Sequence, residues 1–412
     1  MAPLLYSQEN TGAQDAAGKT ATVSGTITDI EITGLKRTKP YIARYPLEKF
    51  LGREGSTLDM NEVQAAVRDT GILEPLSIEL VDNGEGVTLH VTVQEKWSIF
   101  PFPVFMANSA YYSFGLFFSD MNAFGLRDQA AVGGTYGNTG WSAMLFYQHN
   151  PNHAGIPGWN TSFMYARQQN VDTDRNEVIF RRFTTDQVRY SLGLNYPLSG
   201  IMSISGIVSF TDISIIQSDN AINPPGDGAM FTGFSPGFSL RASNWDGFFL
   251  SQRSLSLAYG YNLAISGSSY HRADFRGVFE QPIVPGFRLS LRSGAVWKSD
   301  VDRSRAPLIE DAPQRAAVDI LPMNFSARQY AGFSAGFEKC LFVIRWGTLS
   351  AIASWQCVFS DGPISGYEFD NGPSAGVRFY LSRLALPAMG VGIAYNMNSG
   401  LYQFGFNLGM SF

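Results

Sequence analysis

The sequence is poor in charged residues, in cysteine and in long apolar runs, and each shortage excludes a class of protein. Charged residues make up 16% of the 412, against about 25% in a typical soluble globular chain. Two cysteines are too few for a disulfide scaffold or a cysteine zinc cluster. The mean hydropathy is −0.05, so the apolar residues must be interleaved with polar ones, whereas a membrane-spanning helix needs about 20 consecutive apolar residues.

An excess of basic charge and a targeting segment are also missing. The net charge is −5, so the chain has no excess of positive charge with which to bind a nucleic acid. Residues 1–25 have neither the basic start nor the apolar core of a signal peptide. We expect them to be a flexible lead, and we expect the signal peptide of an exported protein to be absent from this chain.

What the sequence has instead is apolar residues (45%), aromatic residues (14%) and 42 glycines. So many apolar residues are ample for a folded core and exclude a disordered chain. They follow two different patterns along the sequence, which predict two domains.

Residues 26–97 predict a small α+β domain. Asp59 is a good N-cap for the second helix, and Glu62 completes a capping box with it. Pro46 should kink or shorten the first helix. The predicted order is a strand at Ile27–Thr33, a helix at Thr38–Leu51, a helix from Asp59 to Gly71, and strands at Leu76–Val81 and Val87–Val93 joined by Asp82-Asn83-Gly84.

From about residue 110 onward, apolar and polar residues alternate. Residues 402–412 have an apolar residue at every even position and a small or polar one between, and residues 187–196 repeat the pattern. Strands of about ten alternating residues separated by turns are typical of a transmembrane β-barrel. We therefore predict an all-β barrel of about sixteen antiparallel strands over residues 98–412.

A soluble β-sandwich or propeller also alternates, but three features favour the membrane barrel. No blade-length repeat is present, and the apolar face is rich in aromatic residues, as interfacial girdles require. The polar face carries charges at mid-strand, which a wet lumen tolerates. These charges are Arg189, Arg272, Asp274, Arg276, Arg288 and Arg292.

Signals for enzyme chemistry are weak. His149 and His153 have a metal-like spacing, but the Asn-Pro-Asn between them predicts a turn. His271 and Asp274 fall on opposite faces of one strand, which excludes a dyad between them, and no serine accompanies a histidine as an outer-membrane phospholipase would need. We predict no catalytic residue, no cofactor and no metal site.

The two cysteines and one long connection lead to two further predictions about the barrel. Cys340 falls on the polar face and Cys357 on the apolar face, so we predict free thiols. The connection from Val301 to Tyr330 is about 30 residues long, and a loop of that length in a compact domain is usually functional or packed inside.

Four segments together carry a resemblance that covers residues 26–412. The segments are Ile30–Thr38 with Glu95-Lys96-Trp97 closing the same domain, Ser119–Gly125 as an early turn, Gly336-Phe337-Glu338 as a strand with a lumen glutamate, and an aromatic C-terminus at Phe412. In this order they resemble the outer-membrane assembly and translocation superfamily typified by BamA and TamA. That superfamily joins periplasmic polypeptide-transport-associated (POTRA) domains to a sixteen-stranded barrel.

The resemblance implies a protein of the bacterial outer membrane with a single POTRA-like domain, residues 26–97, in the periplasm. It implies outer-membrane lipids and unfolded outer-membrane or exported polypeptides as partners, handled at a seam between the first and last strands. Here that seam would join Tyr111–Asp120 to Tyr402–Phe412. Its candidate residues are Tyr111, Phe114, Phe404, Phe406 and Phe412.

The resemblance also implies a lumen pair between the long connection and a strand. The family's Val-Arg-Gly-Phe/Tyr motif is matched by Ala327-Arg328-Gln329-Tyr330, with Gln in place of Gly, and Gln356 stands where the family has Asp. We predict that Arg328 pairs with Glu338. The alternative is that both are ordinary lumen charges.

Three functions stay open on the sequence. The first is polypeptide insertion or translocation at the outer membrane. The second is a passive pore or structural barrel without insertase activity, which the departures from the motif keep open. The third, a barrel enzyme, has no motif in its favour.

Overall fold

A computed structural model describes most of the chain, and its contacts divide the chain into two compact units. The first unit comprises the residues up to Lys96 together with Phe124–Arg127, and the second comprises Trp97–Ala123 and the residues from Asp128 onward. The described residues are 25–107, 112–150, 157–219, 224–226, 228–245, 250–299, 306–309, 318–322, 324–344, 347–362, 366–381 and 389–408. The predicted flexible lead therefore lies almost wholly outside them.

The first unit is a three-stranded sheet with two helices, in the predicted β-α-α-β-β order. Its sheet order is β1-β3-β2, with β1 parallel and β2 antiparallel to β3. Its elements are β1 (Ile27–Thr33), α1 (Pro40–Arg44), 3₁₀ turns at Tyr45–Phe50 and Gly55–Thr57, α2 (Met60–Arg68), β2 (Leu73–Asp82) and β3 (Val87–Glu95).

The two helices begin and end for local reasons. The first α-helix stops at Arg44 and continues as a 3₁₀ turn that contains Pro46, as expected of proline near a helix interior. Asp59 caps α2 by accepting the N–H of Asn61 at 2.9 Å. The predicted capping box is wrong, because Glu62 pairs with the Arg53 guanidinium at 3.1 Å.

Apolar side chains of both helices and all three strands form the core of this unit. Phe50 and Val63 are fully buried against Leu89. The α2 face that packs there repeats every three to four residues, as an amphipathic helix requires.

The second unit is one sixteen-stranded antiparallel sheet in consecutive order, which confirms the predicted barrel of about sixteen strands. Each strand pairs with its neighbours in the chain. Its strands are β4 (Ile99–Ala107), β5 (Tyr112–Ala123), β6 (Asp128–Gly137), β7 (Gly140–His149), β8 (Gly158–Thr173), β9 (Ile179–Pro197), β10 (Met202–Ser218), β11 (Ala229–Trp245), β12 (Leu250–Ser266), β13 (Tyr270–Val284), β14 (Phe287–Lys298), β15 (Gln329–Ile344), β16 (Gly347–Gly362), β17 (Gly366–Leu381), β18 (Met389–Tyr395) and β19 (Tyr402–Leu408).

The predicted first strand of the barrel is wrong. The sheet begins at β4, and Phe114 of β5 lies opposite Phe105 on one side and Tyr136 on the other. Phe114 is therefore one strand inside the edge, and Tyr111 lies outside the described residues. Sequence alternation missed β4 because Ile99–Ala107 is apolar or proline at every position.

The sheet has an apolar outer face and a polar inner face, as a transmembrane barrel requires. Outward aromatic side chains stack across strands, with Phe287 and Phe337 at 5.4 Å and Phe359 and Tyr367 at 5.3 Å between ring centroids. Among the described residues, no helix has the length and apolar character to cross a membrane.

The two ends of the barrel differ in their connections. We call short-turn end the one where Val284 and Phe287 are joined by two residues, and long-connection end the one where Lys298 and Gln329 are joined by thirty. Antiparallel order puts the start of β4 and the finish of β19 at the short-turn end.

Candidate functional site: the barrel lumen

A cluster of buried charges occupies the lumen side of β13 to β17, towards the short-turn end. Side chains alternate across a strand, so Arg288 and Arg292 of β14 both point inward. Register places Arg288 directly opposite Glu338 of β15. Arg288 and Glu338 are each 1% exposed, so both charges need partners within the protein.

Glu338 is the centre of this cluster. Its Oε2 accepts from Arg288 Nη2 at 2.5 Å and from Arg378 Nη1 at 3.2 Å. Its Oε1 accepts from the Tyr380 hydroxyl at 2.8 Å and from the Ser350 hydroxyl. One carboxylate thus joins β14, β15, β16 and β17.

A second carboxylate extends the cluster to β12 and β13. Glu280 Oε2 accepts from Arg288 Nη1 at 3.0 Å and from the backbone N–H of Gln252 at 3.1 Å, and its Oε1 accepts from Arg292 Nη2 at 2.9 Å. Hydrogen-bonded charge pairs of this kind hold a single geometry.

The formal charges of the cluster do not cancel among the strands alone. Three arginines, Arg288, Arg292 and Arg378, face two glutamates. A further acid, Asp319 of the long connection, lines the same cavity as Arg292. The strands therefore present an inward surface suited to an acidic segment.

The predicted pair between Arg328 and Glu338 is wrong. Arg328 Nη2 lies 2.7 Å from Asp361 Oδ2, at the long-connection end. The nine steps along β15 from Gln329 to Glu338 span about 30 Å at about 3.4 Å per residue, so the two predicted partners lie far apart. The partners of Glu338 could be found only from the strand register, which its own segment does not encode.

Described pieces of the long connection lie inside the barrel. Val318, Ile320 and Leu321 are at most 1% exposed and pack against lumen residues that include Val358 and Ala394. The sequence left open whether the connection is functional or packed inside, and its described pieces are packed inside.

Hydrogen bonds fix this segment to the wall. The Asp319 N–H donates to Gln356 Oε1 at 2.6 Å, and Gln356 Nε2 donates to the Ser374 hydroxyl at 2.9 Å. Gln356, which replaces the acid expected from the resemblance, therefore serves as an amide clamp on the connection.

The same connection reaches the opposite side of the lumen. The Thr173 N–H of β8 donates to the Asn324 carbonyl at 3.1 Å, and Thr173 forms a bridge with Phe325. Ile309 packs on Ala229 and Phe231 of β11. The long connection thus contacts strands on both sides of the barrel.

A second connection also crosses the lumen, between β8 and β9. Arg175 Nη2 lies 2.5 Å from Glu368 Oε2 and 3.0 Å from Asp370 Oδ2, both on β17. Gln403 of β19 donates to Glu177 Oε1 at 3.0 Å. These contacts join the connection between the fifth and sixth strands of the sheet to its fourteenth and last strands. No sequence signal pointed to Arg175 or Glu177.

The candidate seam residues at the C-terminal edge are partly described. Phe404 is outward and exposed, opposite Ile393 of β18. Phe406 lies in β19 opposite Val391. Phe412 lies outside the described residues.

The remaining predicted positions have ordinary partners. Both Cys340 and Cys357 are free, as predicted. His149 Nδ1 lies 2.9 Å from Asp128 Oδ2, and His153 lies outside the described residues. Over the ranges that the structure covers, no three metal-ligating side chains form a metal site.

Comparison with solved structures identifies the fold. BamA from Haemophilus ducreyi lacking POTRA domains 1–3 matches with a TM-score of 0.56 at 12% identity, over 92% of this chain and 83% of that one. CdiB from Acinetobacter baumannii matches with a TM-score of 0.61 at 12% identity, over 93% and 74%. CdiB from Escherichia coli matches with a TM-score of 0.53 at 13% identity, over 98% and 91%.

Sequence comparisons add nothing to this assignment. No family model matches the chain, and no curated protein matches it. Identities of 12 to 13% indicate a shared fold but not a shared activity, so function must be argued from the site. The chain has the barrel fold of BamA and CdiB.

Proposed function

We propose that this protein is a bacterial outer-membrane factor that inserts or translocates polypeptides through the seam between β4 and β19. Residues 26–97 would be its periplasmic POTRA-like domain, and lipids and unfolded polypeptides its partners. The fold that it shares with BamA and CdiB supports this proposal.

The observation that carries the proposal is the segment Val318–Leu321 buried in the lumen. A passive pore needs an open water path, whereas this lumen already holds a piece of the chain itself, which is hydrogen-bonded to Gln356. Action on another chain must then use the wall of the barrel, and a strand edge can bind an extended segment by β-augmentation.

Conductance separates this proposal from the passive pore. Purified protein in planar bilayers should conduct little. Replacing Val318, Ile320 and Leu321 by alanine removes buried side chains that each stabilise by about 2 kcal/mol or more, so the segment should leave the wall and conductance should rise severalfold. Leu263→Ala, on the exposed outer face of β12, is the matched control and should change nothing. A steady high conductance of the unaltered protein would favour the passive pore.

A locked seam tests the route. In a variant whose native cysteines are replaced by serine, disulfides introduced between β4 and β19 should abolish folding of an unfolded β-barrel polypeptide added to proteoliposomes, and reduction should restore it. A disulfide between positions 393 and 404, which pair within β18 and β19, is the control and should leave folding intact. Full activity with the β4–β19 seam locked would overturn the proposed route.

A further inference from the structure

A groove lies on the outer, lipid-facing side of the barrel, between β11 and β15. Side chains alternate across a strand, so Ser293 faces outward beside the inward Arg292. Register places Ser293 in one row with Leu255, Gly277 and Phe333. Gly277 and Ser293 are the small members of this row and form the floor of a groove of about 450 Å³. That volume falls within the usual range of ligand sites, roughly 300–1,000 Å³.

The walls of this groove are apolar. Phe275 and Phe279 flank Gly277 along β13, and Leu291 and Phe333 line the side towards β15. Phe279 and Phe333 are 41% and 46% exposed, so the protein leaves this surface to be covered from outside. The groove therefore suits a flexible apolar chain.

Arg253 lies where this groove meets the short-turn end. It is three residues from the start of β12 and directly opposite Phe279, with its guanidinium 5.5 Å from the centroid of that ring. Its side chain is exposed. An arginine on the lipid face of a barrel is costly at the bilayer midplane and tolerated near an interface, so Arg253 indicates the level of the lipid headgroups.

The charge of Arg253 has no carboxylate partner among the described residues. Its Nη2 donates to the neutral Gln281 Oε1, whereas a guanidinium has five N–H donors. Arg167, which is outward near the long-connection end, instead pairs with Asp186, with Nε at 2.7 Å from Oδ1. Arg253 thus keeps donors for an external acceptor, and a guanidinium matches the geometry of a phosphate.

We propose that this groove binds one anionic phospholipid, with the phosphate at Arg253 and an acyl chain over Gly277 and Ser293. A cation at one end and an apolar trough beyond it match the two parts of such a lipid. The periplasmic leaflet as its source rests on the proposed function, which places the domain that precedes β4 in the periplasm. The binding itself does not depend on that placement.

Native mass spectrometry of the full chain, released from detergent with equal amounts of phosphatidylglycerol and phosphatidylcholine of the same acyl chains, tests the headgroup. Phosphatidylglycerol should bind severalfold more tightly. Arg253→Gln should weaken its binding about fivefold, as expected for the loss of one cation near a lipid surface, and should remove the preference. Arg253→Lys keeps a charge and should retain part of the preference.

Two further variants test the acyl chain. Ser293→Leu fills the floor of the groove and should weaken both lipids severalfold while leaving the headgroup preference unchanged. Ala273→Leu fills the neighbouring outer groove beside Tyr259 and Trp297, and it should leave binding unchanged. Equal losses in these two variants would mean that lipid covers the whole face without a site, which overturns the proposal.

Lys339→Gln is the matched control for charge. Lys339 is also outward and exposed, beside Phe337 on β15, but it does not line the groove. Its loss should change phosphatidylglycerol binding little. A loss as large as that of Arg253→Gln would indicate unspecific attraction and overturn the proposal, as would tighter binding of lipid A than of phosphatidylglycerol.

The folding assay separates this inference from the proposed function. Specific lipid binding by a protein that folds no polypeptide would overturn the proposed function and leave the lipid site. Polypeptide folding by a protein that shows no preference for phosphatidylglycerol would overturn the lipid site alone.

Discussion

The central strands of the barrel and its marginal strands are built differently. β9 has 19 residues and lies among strands of similar length, whereas β4 has nine and β19 has seven. Each strand residue adds ladder hydrogen bonds, so the margins are held by fewer bonds. The buried charge cluster around Glu338 also lies on central strands, from β12 to β17.

This difference indicates which strands of the barrel can change conformation. Buried ion pairs with complete hydrogen bonding hold one arrangement and are costly to break, so β13 to β17 should act as a rigid wall. In the described residues, the C-terminal margin is instead held by single hydrogen bonds, such as those from Gln403 to Glu177 and from Asn396 to Asp370.

The largest expected effect comes from breaking the central wall. Glu338→Gln leaves Arg288 and Arg378 buried without their shared counter-charge, which should lower the free energy of unfolding by about 3–5 kcal/mol. Urea unfolding in vesicles, followed by gel mobility of the folded barrel, measures it. Asp274→Asn removes a half-exposed partner of Arg272 and should cost under about 1 kcal/mol. Equal losses in the two variants would contradict a specially rigid centre.

The next effect concerns the tie between the centre and the margin. Asp370 is fully buried and binds Arg175 Nη2 and Asn396 Nδ2, each at 3.0 Å. Asp370→Asn should lower the free energy of unfolding by about 2 kcal/mol and speed hydrogen exchange at Gly400, in the turn before β19. Glu368→Gln, at a more exposed partner of Arg175, should do less. Unchanged exchange at Gly400 would mean that β17 does not hold that turn.

Acid should lower the stability of the small domain, because one of its carboxylates must be ionised to keep its hydrogen bonds. Burial opposes ionisation of Glu95, but the N–H groups of Lys36, Thr38 and Arg37 outweigh it and hold the pKa of Glu95 below its ordinary value of 4.5. The ionised carboxylate therefore stabilises the folded domain above pH 4.5, and this contribution is lost as the pH falls through the lowered pKa.

Glu95→Gln should accordingly destabilise residues 26–96 by about 1–2 kcal/mol at neutral pH. The difference from the unaltered chain should shrink below pH 4.5. Hydrogen exchange of α2 in the full chain measures both, with Glu79→Gln as the control. A difference that is independent of pH would contradict an ionised Glu95 as the cause.

Much of this architecture could be predicted from the sequence, and the errors have physical reasons. Period-two alternation identified the barrel and the approximate number of its strands, because one face of each strand meets lipid and the other meets the lumen. The strand β4 escaped because Pro101 and Pro103 break the alternation. The Met121 N–H donates to the Ser98 carbonyl, so the odd-numbered residues of β4, which include both prolines, face away from β5. Their missing N–H groups therefore cost β4 no hydrogen bond to its neighbour.

The partners in the lumen could not be predicted, because they depend on register and on folded connections. Arg288 is 50 residues from Glu338 in the chain, and Arg175 is 195 residues from Asp370. Sequence pattern identified Arg288 and Glu338 only as lumen charges, and it did not point to Arg175 or Asp370. Pairing them requires the order of ten or more strands and the path of two connections through the lumen.

The smallest expected effect tests the corrected partner of Arg328. Side chains in contact couple energetically, whereas sites far apart are additive within about 0.3–0.5 kcal/mol. Arg328→Ala and Asp361→Asn should therefore show a coupling of about 0.5–1 kcal/mol in the free energy of unfolding, as expected of a partly exposed pair. Arg328→Ala combined with Glu338→Gln should be additive. Coupling in the second cycle instead of the first would restore a link between the long connection and the central cluster through Arg328, and the rigid wall would then depend on the lumen segment rather than on its own strands.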